Sequence, residues 1–257
     1  MNVEQLSKRL EHIAYQAWMP KEVEQFGKWY LRFNDGVTRR ANSVLPIGPP
    51  TNSDPEDAID YATDFYVERN TPPRFQMTQY SIPSGLDKAL ESKGFGKRFP
   101  VCVQTARIAD IPQRNQSIRT NIISAPTDEW MKAYQLGSGY RRESMDTRKS
   151  LMMRSPLPKA FGTATIDGKL AAVGLGVKSN KWCGLFNIAT IPDYRRSGAG
   201  TAVSCRLLSW AGGLGASNAY LQVEKENHPA QILYHRLGFE TSYQYWYRVM
   251  ESDQWQQ

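Results

Sequence analysis

Two arginines and a Gly-Ala-Gly stand together in TIPDYRRSGAGTAV, residues 190–203, between two apolar runs. Gly198 and Gly200 let the backbone bend and approach a ligand with no Cβ in the way. A helix that begins just after them offers unpaired N–H groups and a dipole that favours an anion. Arg195 and Arg196 add guanidinium donors that suit phosphate oxygens. The pattern indicates a diphosphate cradle, although an ordinary basic turn has the same composition.

Two common phosphate-binding motifs do not account for this loop. No Gly-Lys-Ser/Thr follows it, so it is not a Walker loop. It also lacks G-x-G-x-x-G and an acidic residue at the end of the next strand, which excludes the dinucleotide fingerprint.

A second group of polar residues lies downstream in LQVEKENHPAQILYHRLGF, residues 221–239. Asn227 and Tyr234 are seven residues apart, after a strand candidate and before a Gly-Phe helix end. Glu224 lies at the end of that strand candidate. Taken alone, Tyr234 is more typical of a half-buried helix tyrosine, whereas Glu224 fits an exposed strand carboxylate as well as it fits a base.

The two halves of the chain share one order of elements. The segment GLDKALESKGF ends at Gly94-Phe95, and PAQILYHRLGF ends 144 residues later at Gly238-Phe239. Each reads as a short amphipathic helix closed by glycine, with a strand candidate before it and another after it. We therefore predict two copies of one α/β unit, joined near residues 108–117.

The C-terminal half contains the elements that such a unit needs first. A strand candidate, SIRTNIISA, precedes the helix TDEWMKAYQLGSG, which Thr127 or Asp128 is placed to cap. A hairpin with its turn at Asp167-Gly168 and a further strand come next. They lead to residues 195–200, which we call the Arg-Gly loop. This order predicts a mixed sheet with helices on both faces.

The two motifs in this order resemble the GNAT (Gcn5-related) N-acetyltransferase superfamily, over about residues 118–250. The resemblance implies that the loop grips the pyrophosphate of acetyl-CoA, that Asn227 contacts the pantetheine, and that Tyr234 is the acid. The implied cofactor-binding residues are Ala189, Thr190, Arg195, Arg196, Ser197, Gly198, Ala199, Gly200, Thr201 and Asn227. One departure is Arg196, since the family usually has glycine there.

Acetyl transfer makes demands that these residues can meet. The amine must be neutral when it attacks, so a base or a water chain has to take its proton. Family members often use an acidic residue at the position of Glu224 for this. A backbone N–H near Ala189 or Thr190 is the candidate donor to the oxyanion. Tyr234, with an ordinary pKa of ~10 against ~8.5 for a thiol, is the candidate acid for the departing thiolate.

The first half lacks the same chemistry. The 144-residue offset places Thr51, Asp54 and Glu56 opposite the loop residues and Leu90 opposite Tyr234. Acidic residues there repel a phosphate, and leucine is not an acid. We expect an α/β (α+β) protein of two GNAT-like domains, each a mixed, mostly antiparallel twisted sheet flanked by helices. Residues 1–110 form the degenerate copy, 111–117 the linker and 118–257 the catalytic domain.

Composition limits the partners. The net charge is +7, but the basic residues are scattered and no nucleic-acid motif is present, so we expect no nucleic acid as partner. No apolar run is long enough for a membrane span. Three cysteines without a C-x-x-C pair indicate reduced thiols in a cytoplasm, and three histidines give no reason to expect a metal site. A monomer or a homodimer is expected.

The expected function is acetyl-CoA-dependent N-acetylation of a primary amine on a small molecule by direct attack. Antibiotics and self-resistance substrates are included among the acceptors. The alternative is a non-catalytic acyl-CoA-binding sensor or scaffold, which would not need Tyr234. Transfer of an aminoacyl group from charged tRNA ranks last, because tandem proteins of that type lack an intact pyrophosphate loop in the second domain.

Overall fold

The computed structural model describes residues 1–51, 54–112 and 117–251. It divides into two compact units, one of residues 1–102 with 243 onward and the other of residues 103–242. The elements of the first unit are α1 Val3–Ala17, β1 Glu22–Phe26, β2 Trp29–Phe33, β3 Val44–Pro46, α2 Pro55–Val67, β4 Arg74–Thr78 and α3 Leu86–Ser92. Strand β5, Gly96–Arg107, contributes residues to both units.

The second unit continues with nine further strands and helices in the described residues, placed around the Arg-Gly loop. They are β6 Arg119–Ile123, α4 Asp128–Ser138, α5 Met145–Arg154, β7 Lys159–Ile166, β8 Lys169–Ser179, β9 Trp182–Thr190, α6 Ala199–Gly213, β10 Asn218–Glu224 and α7 His228–Arg236. The last strand, β11 Glu240–Val249, begins in this unit and ends in the first. A mixed α/β fold with helices against a mixed sheet confirms the expected fold class.

The predicted internal repeat is present in the elements themselves. Helices α2 and α6 begin at Pro55 and Ala199, and strands β4 and β10 begin at Arg74 and Asn218. Both pairs are 144 residues apart. The hairpin turn is also confirmed, because Asp167 and Gly168 have φ of 50° and 75°, both in the left-handed region that a type I′ turn requires.

The first unit differs from a simple N-terminal half, because its strand order is β1-β2-β3-β4-β11-β5. Strand β11 pairs antiparallel with β4, for example Trp246 with Met77. The buried Arg248 side chain fixes this arrangement, since it forms ion pairs with Asp87 at 2.7 Å and Glu91 at 3.1 Å. The predicted division assigned Tyr243–Val249 to the second domain, whereas these residues group with the first unit. The predicted linker lies largely in residues 113–116, outside the described residues.

In the second unit the strand order is β5-β10-β9-β8-β7-β6. Helix α6 lies against one face of this sheet, where Gly162, Gly174 and Gly176 leave room for it. A Cβ on Gly162 would come within 2.8 Å of Val203 and 3.0 Å of Leu207. The glycines thus allow α6, and the loop before it, to lie close to the sheet.

This close approach generates a prediction for Gly162→Ala. The added methyl group has no room against α6, so we expect the free energy of unfolding to fall by about 1–3 kcal/mol. Gly213→Ala is the matched control, because nothing lies within 4 Å of its Cβ position at the exposed end of the same helix. That variant should gain up to about 1 kcal/mol of helix propensity. Equal urea midpoints for the two variants, followed by circular dichroism, would contradict the packing argument.

Candidate functional site

An opening in the sheet lies between strands β9 and β10. Their parallel pairing runs from Trp182 with Asn218 to Leu185 with Leu221 and then ends. Both strands continue, β9 for five residues to Thr190 and β10 for three to Glu224. Among the described residues the two strands share no pair beyond these, so a group such as the Thr190 N–H on this side of β9 can take a partner from water or a ligand.

A bulge in β9 accompanies this parting of the strands. Across β8, Val173 pairs with Ala189 and Leu175 with Phe186, so Asn187 and Ile188 together oppose Gly174. Asn187 has a φ of 53°, in the left-handed region that asparagine tolerates better than most residues. The extra residue bends β9 and redirects its end away from β10.

The Arg-Gly loop lies directly after β9 and leads into α6. The helix begins at Ala199, close to the predicted start, with Gly198 at its N-cap at a φ of 89°. As a glycine, Gly198 has no side chain to cap the helix; the Ser197 Oγ accepts a hydrogen bond from the Ala199 N–H at 3.4 Å, and the first turn contains no acidic residue. Arg195 and Arg196 are exposed beside it. These features fit a phosphate group, because the helix start offers N–H donors and positive charge without a competing carboxylate.

The backbone conformation at Arg196 explains why glycine is usual at this position in the GNAT superfamily. Its φ is 65°, a conformation that glycine adopts at no cost and that costs an arginine about 1 kcal/mol or more. The backbone path of the loop is therefore the one that glycine would favour. Arginine adopts it and adds a guanidinium group.

Three elements of the site converge at Gly200. A Cβ there would come within 3.0 Å of the Thr190 Oγ1 atom and 3.1 Å of the Leu233 side chain. The first turn of α6 thus lies against the end of β9 and against α7, the helix that carries Tyr234. The loop, the opening in the sheet and the candidate acid are therefore held in one place.

Tyr234 is on α7 and only 8% exposed, and its ring packs edge-on against Phe239 with centroids 5.8 Å apart. Burial raises the pKa of its hydroxyl because the phenolate loses its hydration. The side chain is therefore protonated at neutral pH. That is the state an acid for a departing thiolate requires.

Asn227 and Glu224 lie on either side of the turn between β10 and α7. The Asn227 Oδ1 atom accepts a hydrogen bond from the Ala230 N–H at 3.2 Å and so caps α7. Glu224 is exposed at the end of β10. The resemblance implied a pantetheine contact for Asn227, and the cap is an additional, structural role for the same side chain.

The two candidate oxyanion donors point in different directions. The Ile191 N–H donates to the Ala171 carbonyl on β8 at 2.9 Å. Alternation along the strand then turns the N–H of Thr190 away from β8, toward the opening, and that of Ala189 toward β8. The geometry therefore favours Thr190.

The first unit fills the corresponding position with its own carboxylate. Asp54 caps helix α2, where its side chain accepts a hydrogen bond from the Glu56 N–H at 2.9 Å. Glu56 and Asp57 add negative charge to the first turn. Leu90, opposite Tyr234 in the repeat, is fully buried.

The sequence interpretation missed several polar residues on the other face of the second unit's sheet. Asn187, in the bulge, accepts a hydrogen bond from the Tyr134 hydroxyl at 3.1 Å. Gln222, on β10, has both side-chain polar atoms buried and without a hydrogen-bond partner among the described residues. The alternation of β10 indicates that Gln222 shares a face with Tyr220 and Glu224, but no sequence signal marked its isolation.

No helix in residues 1–51, 54–112 or 117–251 is long and apolar enough to cross a membrane. Over the same residues, histidine, cysteine, aspartate and glutamate form no group of three or more that could hold a metal ion.

Comparison with known proteins agrees with this geometry. A family model described as "Probable histone acetyltransferase Rv0428c C-terminal" matches residues 7–248. The chain is 32% identical over 247 residues to the Bacillus subtilis "Uncharacterized N-acetyltransferase YobR", covering 94% of this chain and 98% of that protein. It is 24% identical over 259 residues to the "Probable histone acetyltransferase Rv0428c" of Mycobacterium tuberculosis, covering 96% and 74%.

Solved structures share the fold at low sequence identity. A GCN5-related N-acetyltransferase from Kribbella flavida superposes with a TM-score of 0.73 at 15% identity, covering 95% of each chain. A tandem GNAT protein from the clavulanic acid biosynthesis pathway superposes with a TM-score of 0.56 at 15% identity, covering 76% of this chain and 68% of that one.

Fold and sequence together define an N-acetyltransferase of the GNAT superfamily, as the two motifs predicted. Within that superfamily, the chain belongs to the Rv0428c C-terminal acetyltransferase family.

The double role of Asn227 can be separated by substitution. Asn227→Ala removes the cap of α7 and should lower the free energy of unfolding by about 1 kcal/mol. Asn227→Ser keeps an oxygen that can cap the helix and should recover most of that loss. If the side chain also contacts the pantetheine, the KM for acetyl-CoA stays raised in Asn227→Ser although stability returns. Identical behaviour of the two variants in thermal unfolding would contradict the capping role.

Proposed function

We propose that the protein transfers the acetyl group of acetyl-CoA to a primary amine of a small molecule by direct attack. The observation that carries this proposal is the separation of β9 and β10 beside the start of α6, which has a glycine at its N-cap and no acidic residue in its first turn. A thin chain can lie in the opening and hydrogen-bond the free strand edges, while a diphosphate lies at Gly198–Gly200. Acetyl-CoA supplies both parts, together with an activated thioester.

The proposed binding residues are those of the loop and the end of β9. Arg195, Arg196 and the N–H groups of Gly198, Gly200 and Thr201 hold the diphosphate, and Ser197 and Ala199 complete the loop. Thr190, with Ala189 before it, lines the opening and offers an N–H to the thioester oxygen. Asn227 contacts the pantetheine from the turn before α7.

The chemistry forms a C–N bond and breaks a C–S bond. Glu224, directly or through water, takes a proton from the ammonium form of the acceptor so that the neutral amine attacks. The nitrogen of the tetrahedral intermediate loses its second proton to solvent, and Tyr234 gives its own proton to the departing thiolate and is then reprotonated from solvent. The products are an amide and CoA with its thiol protonated.

We also propose that the first unit is a degenerate copy that binds no CoA at its repeat-related position. The Asp54 cap supports this, because a carboxylate already occupies the start of α2 and would repel a phosphate.

A binding-only acyl-CoA sensor is the alternative for the second unit. The presence of Tyr234 at this position supports turnover instead, since a sensor has no use for an acid.

Calorimetry of acetyl-CoA binding tests the cradle first. The wild type should bind one equivalent, and the double variant Gly198→Asp with Gly200→Asp should bind none, because its carboxylates stand where the diphosphate would lie. Gly213→Asp, the same change at the exposed end of α6, is the control and should bind as the wild type. Arg195→Gln with Arg196→Gln, which leaves the glycines intact, should bind about 10–100-fold more weakly. Two bound equivalents would contradict the silent first unit, and no binding to the wild type would refute the function.

Tyr234→Phe tests turnover. Loss of the hydroxyl should lower kcat by about 10²–10³-fold and leave the KM for acetyl-CoA within about 3-fold, because the ring still packs on Phe239. The raised pKa of Tyr234 keeps it protonated, so the loss should be the same at every pH from 6 to 9. The assay is thiol release over a panel of primary amines that includes aminoglycosides, polyamines, amino acids and peptide N-termini. An unchanged kcat would favour another acid.

A further inference from the structure

A buried positive charge lies on helix α5 of the second unit. Arg148 is 9% exposed, and its guanidinium carbon lies 3.4 Å from the centre of the Tyr140 ring. Its Nε donates to the Ser144 Oγ at 3.1 Å, and the guanidinium also hydrogen-bonds the Tyr134 hydroxyl. All of these partners are neutral.

No counter-ion accompanies this arginine. Among the described residues, none of the carboxylates forms an ion pair with Arg148. The neighbouring acids Glu143 and Asp146 are exposed, and Asp128 pairs with Lys149 at 3.5 Å. A buried charge that has only neutral partners and no counter-ion is costly to keep in the interior. Such an arrangement persists most readily where a bound anion supplies the missing charge.

The arginine is connected to the opening in the sheet by one tyrosine. Tyr134 donates from its hydroxyl to the Asn187 Oδ1 at 3.1 Å, and it accepts from Arg148. Asn187 is the bulged residue at which β9 leaves β10. Its Nδ2 atom is buried and lacks a hydrogen-bond partner among the described residues. The Asn187 Nδ2 is therefore a hydrogen-bond donor without a partner among the described residues, on the side of the sheet that faces α4.

Gln222 adds an unused amide on the same face of the sheet. It is two residues after Tyr220, whose ring packs edge-on against Phe186, the residue before Asn187. The Oε1 and Nε2 atoms of Gln222 are both buried without partners. An unsatisfied buried polar group costs about 1–3 kcal/mol, so this amide is also suited to a polar ligand. Gln222 can accept a hydrogen bond from an amine.

We propose that the acceptor of this enzyme carries a carboxylate near its amine, as amino acids and short peptides do. Arg148 and the Asn187 Nδ2 bind the carboxylate, and the Gln222 Oε1 accepts a hydrogen bond from the amine. This inference rests on the proposed acetyl transfer and names its acceptor class. It disfavours polyamines and aminoglycosides, since a cation without a carboxylate would meet an unpaired guanidinium.

The test uses pairs of acceptors that differ only in the anion. Glycine is compared with glycinamide, β-alanine with β-alaninamide, and glycylglycine with glycylglycinamide. Each is assayed for thiol release and, independently of turnover, for calorimetric binding to the complex with CoA. Because a charge-assisted hydrogen bond to a buried guanidinium is lost in the amide, we expect at least one carboxylate to be preferred by about 10–100-fold in kcat/KM. Preference for glycine or β-alanine would identify a free amino acid as the acceptor. Preference for glycylglycine would identify a short peptide.

Three variants assign the preference to the buried arginine. Arg148→Gln should raise the KM of the preferred carboxylate by about 10–100-fold and leave that of its amide within about 3-fold. Arg148→Lys, which keeps the charge, should recover part of the preference. Arg142→Gln is the matched control. Arg142 is an exposed arginine in the connection that precedes α5, and its substitution should leave the preference unchanged. Calorimetric binding of acetyl-CoA to every variant verifies that each one is folded.

Each remaining outcome is decisive. Preference for the amides or for polycations, or a carboxylate preference that Arg148→Gln does not reduce, overturns the inference while the acetyl transfer stands. Binding of acetyl-CoA with no binding or acetylation of any carboxylate also overturns it. Failure of acetyl-CoA itself to bind refutes the proposed function, and the acceptor class falls with it.

Discussion

The end of hydrogen bonding between β9 and β10 is the constraint on which the site depends. Parallel strands normally continue to pair until one of them stops, but here both continue beyond Leu185 and Leu221. The bulge at Asn187 and Ile188 redirects β9, so closing the gap would require the strand to give up its register with β8. The opening is therefore a fixed feature of the fold, held by the pairing on the β8 side.

The remaining elements are arranged around that opening by small residues. Glycines on β7 and β8 let α6 approach the sheet, and Gly200 lets the first turn of α6 meet β9 and α7. The helix start can then act on a ligand that enters between the strands. The same scaffold in the first unit has Asp54 at the start of α2. One carboxylate is enough to convert a site for an anion into an ordinary capped helix.

The sequence predicted what depends on local chemistry. The 144-residue period, the Asp167-Gly168 turn and the glycine start of α6 follow from residue types at fixed spacing. The cap of α4 was predicted at Thr127 or Asp128, and it is Thr127 that caps the helix. The position of β11 beside β4 does not follow from local chemistry, because it depends on ion pairs between Arg248 and residues more than 150 positions away. The lack of a counter-ion for Arg148 and of hydrogen-bond partners for the Gln222 amide, among the described residues, could not be predicted either, because both depend on which side chains the fold brings near them.

Those unpaired groups also explain how a site of this kind can discriminate between acceptors. A pocket that merely has room for an amine accepts many amines with similar affinity. Buried donors and a buried charge are costly when unpaired, so a ligand that satisfies them gains free energy and one that lacks the matching group leaves the cost in place. Discrimination then comes as much from the free energy that a mismatched substrate fails to recover as from the contacts that the matching substrate gains. The free protein carries that cost in Arg148, Asn187 and Gln222, and a protein keeps such a cost most readily where function depends on it.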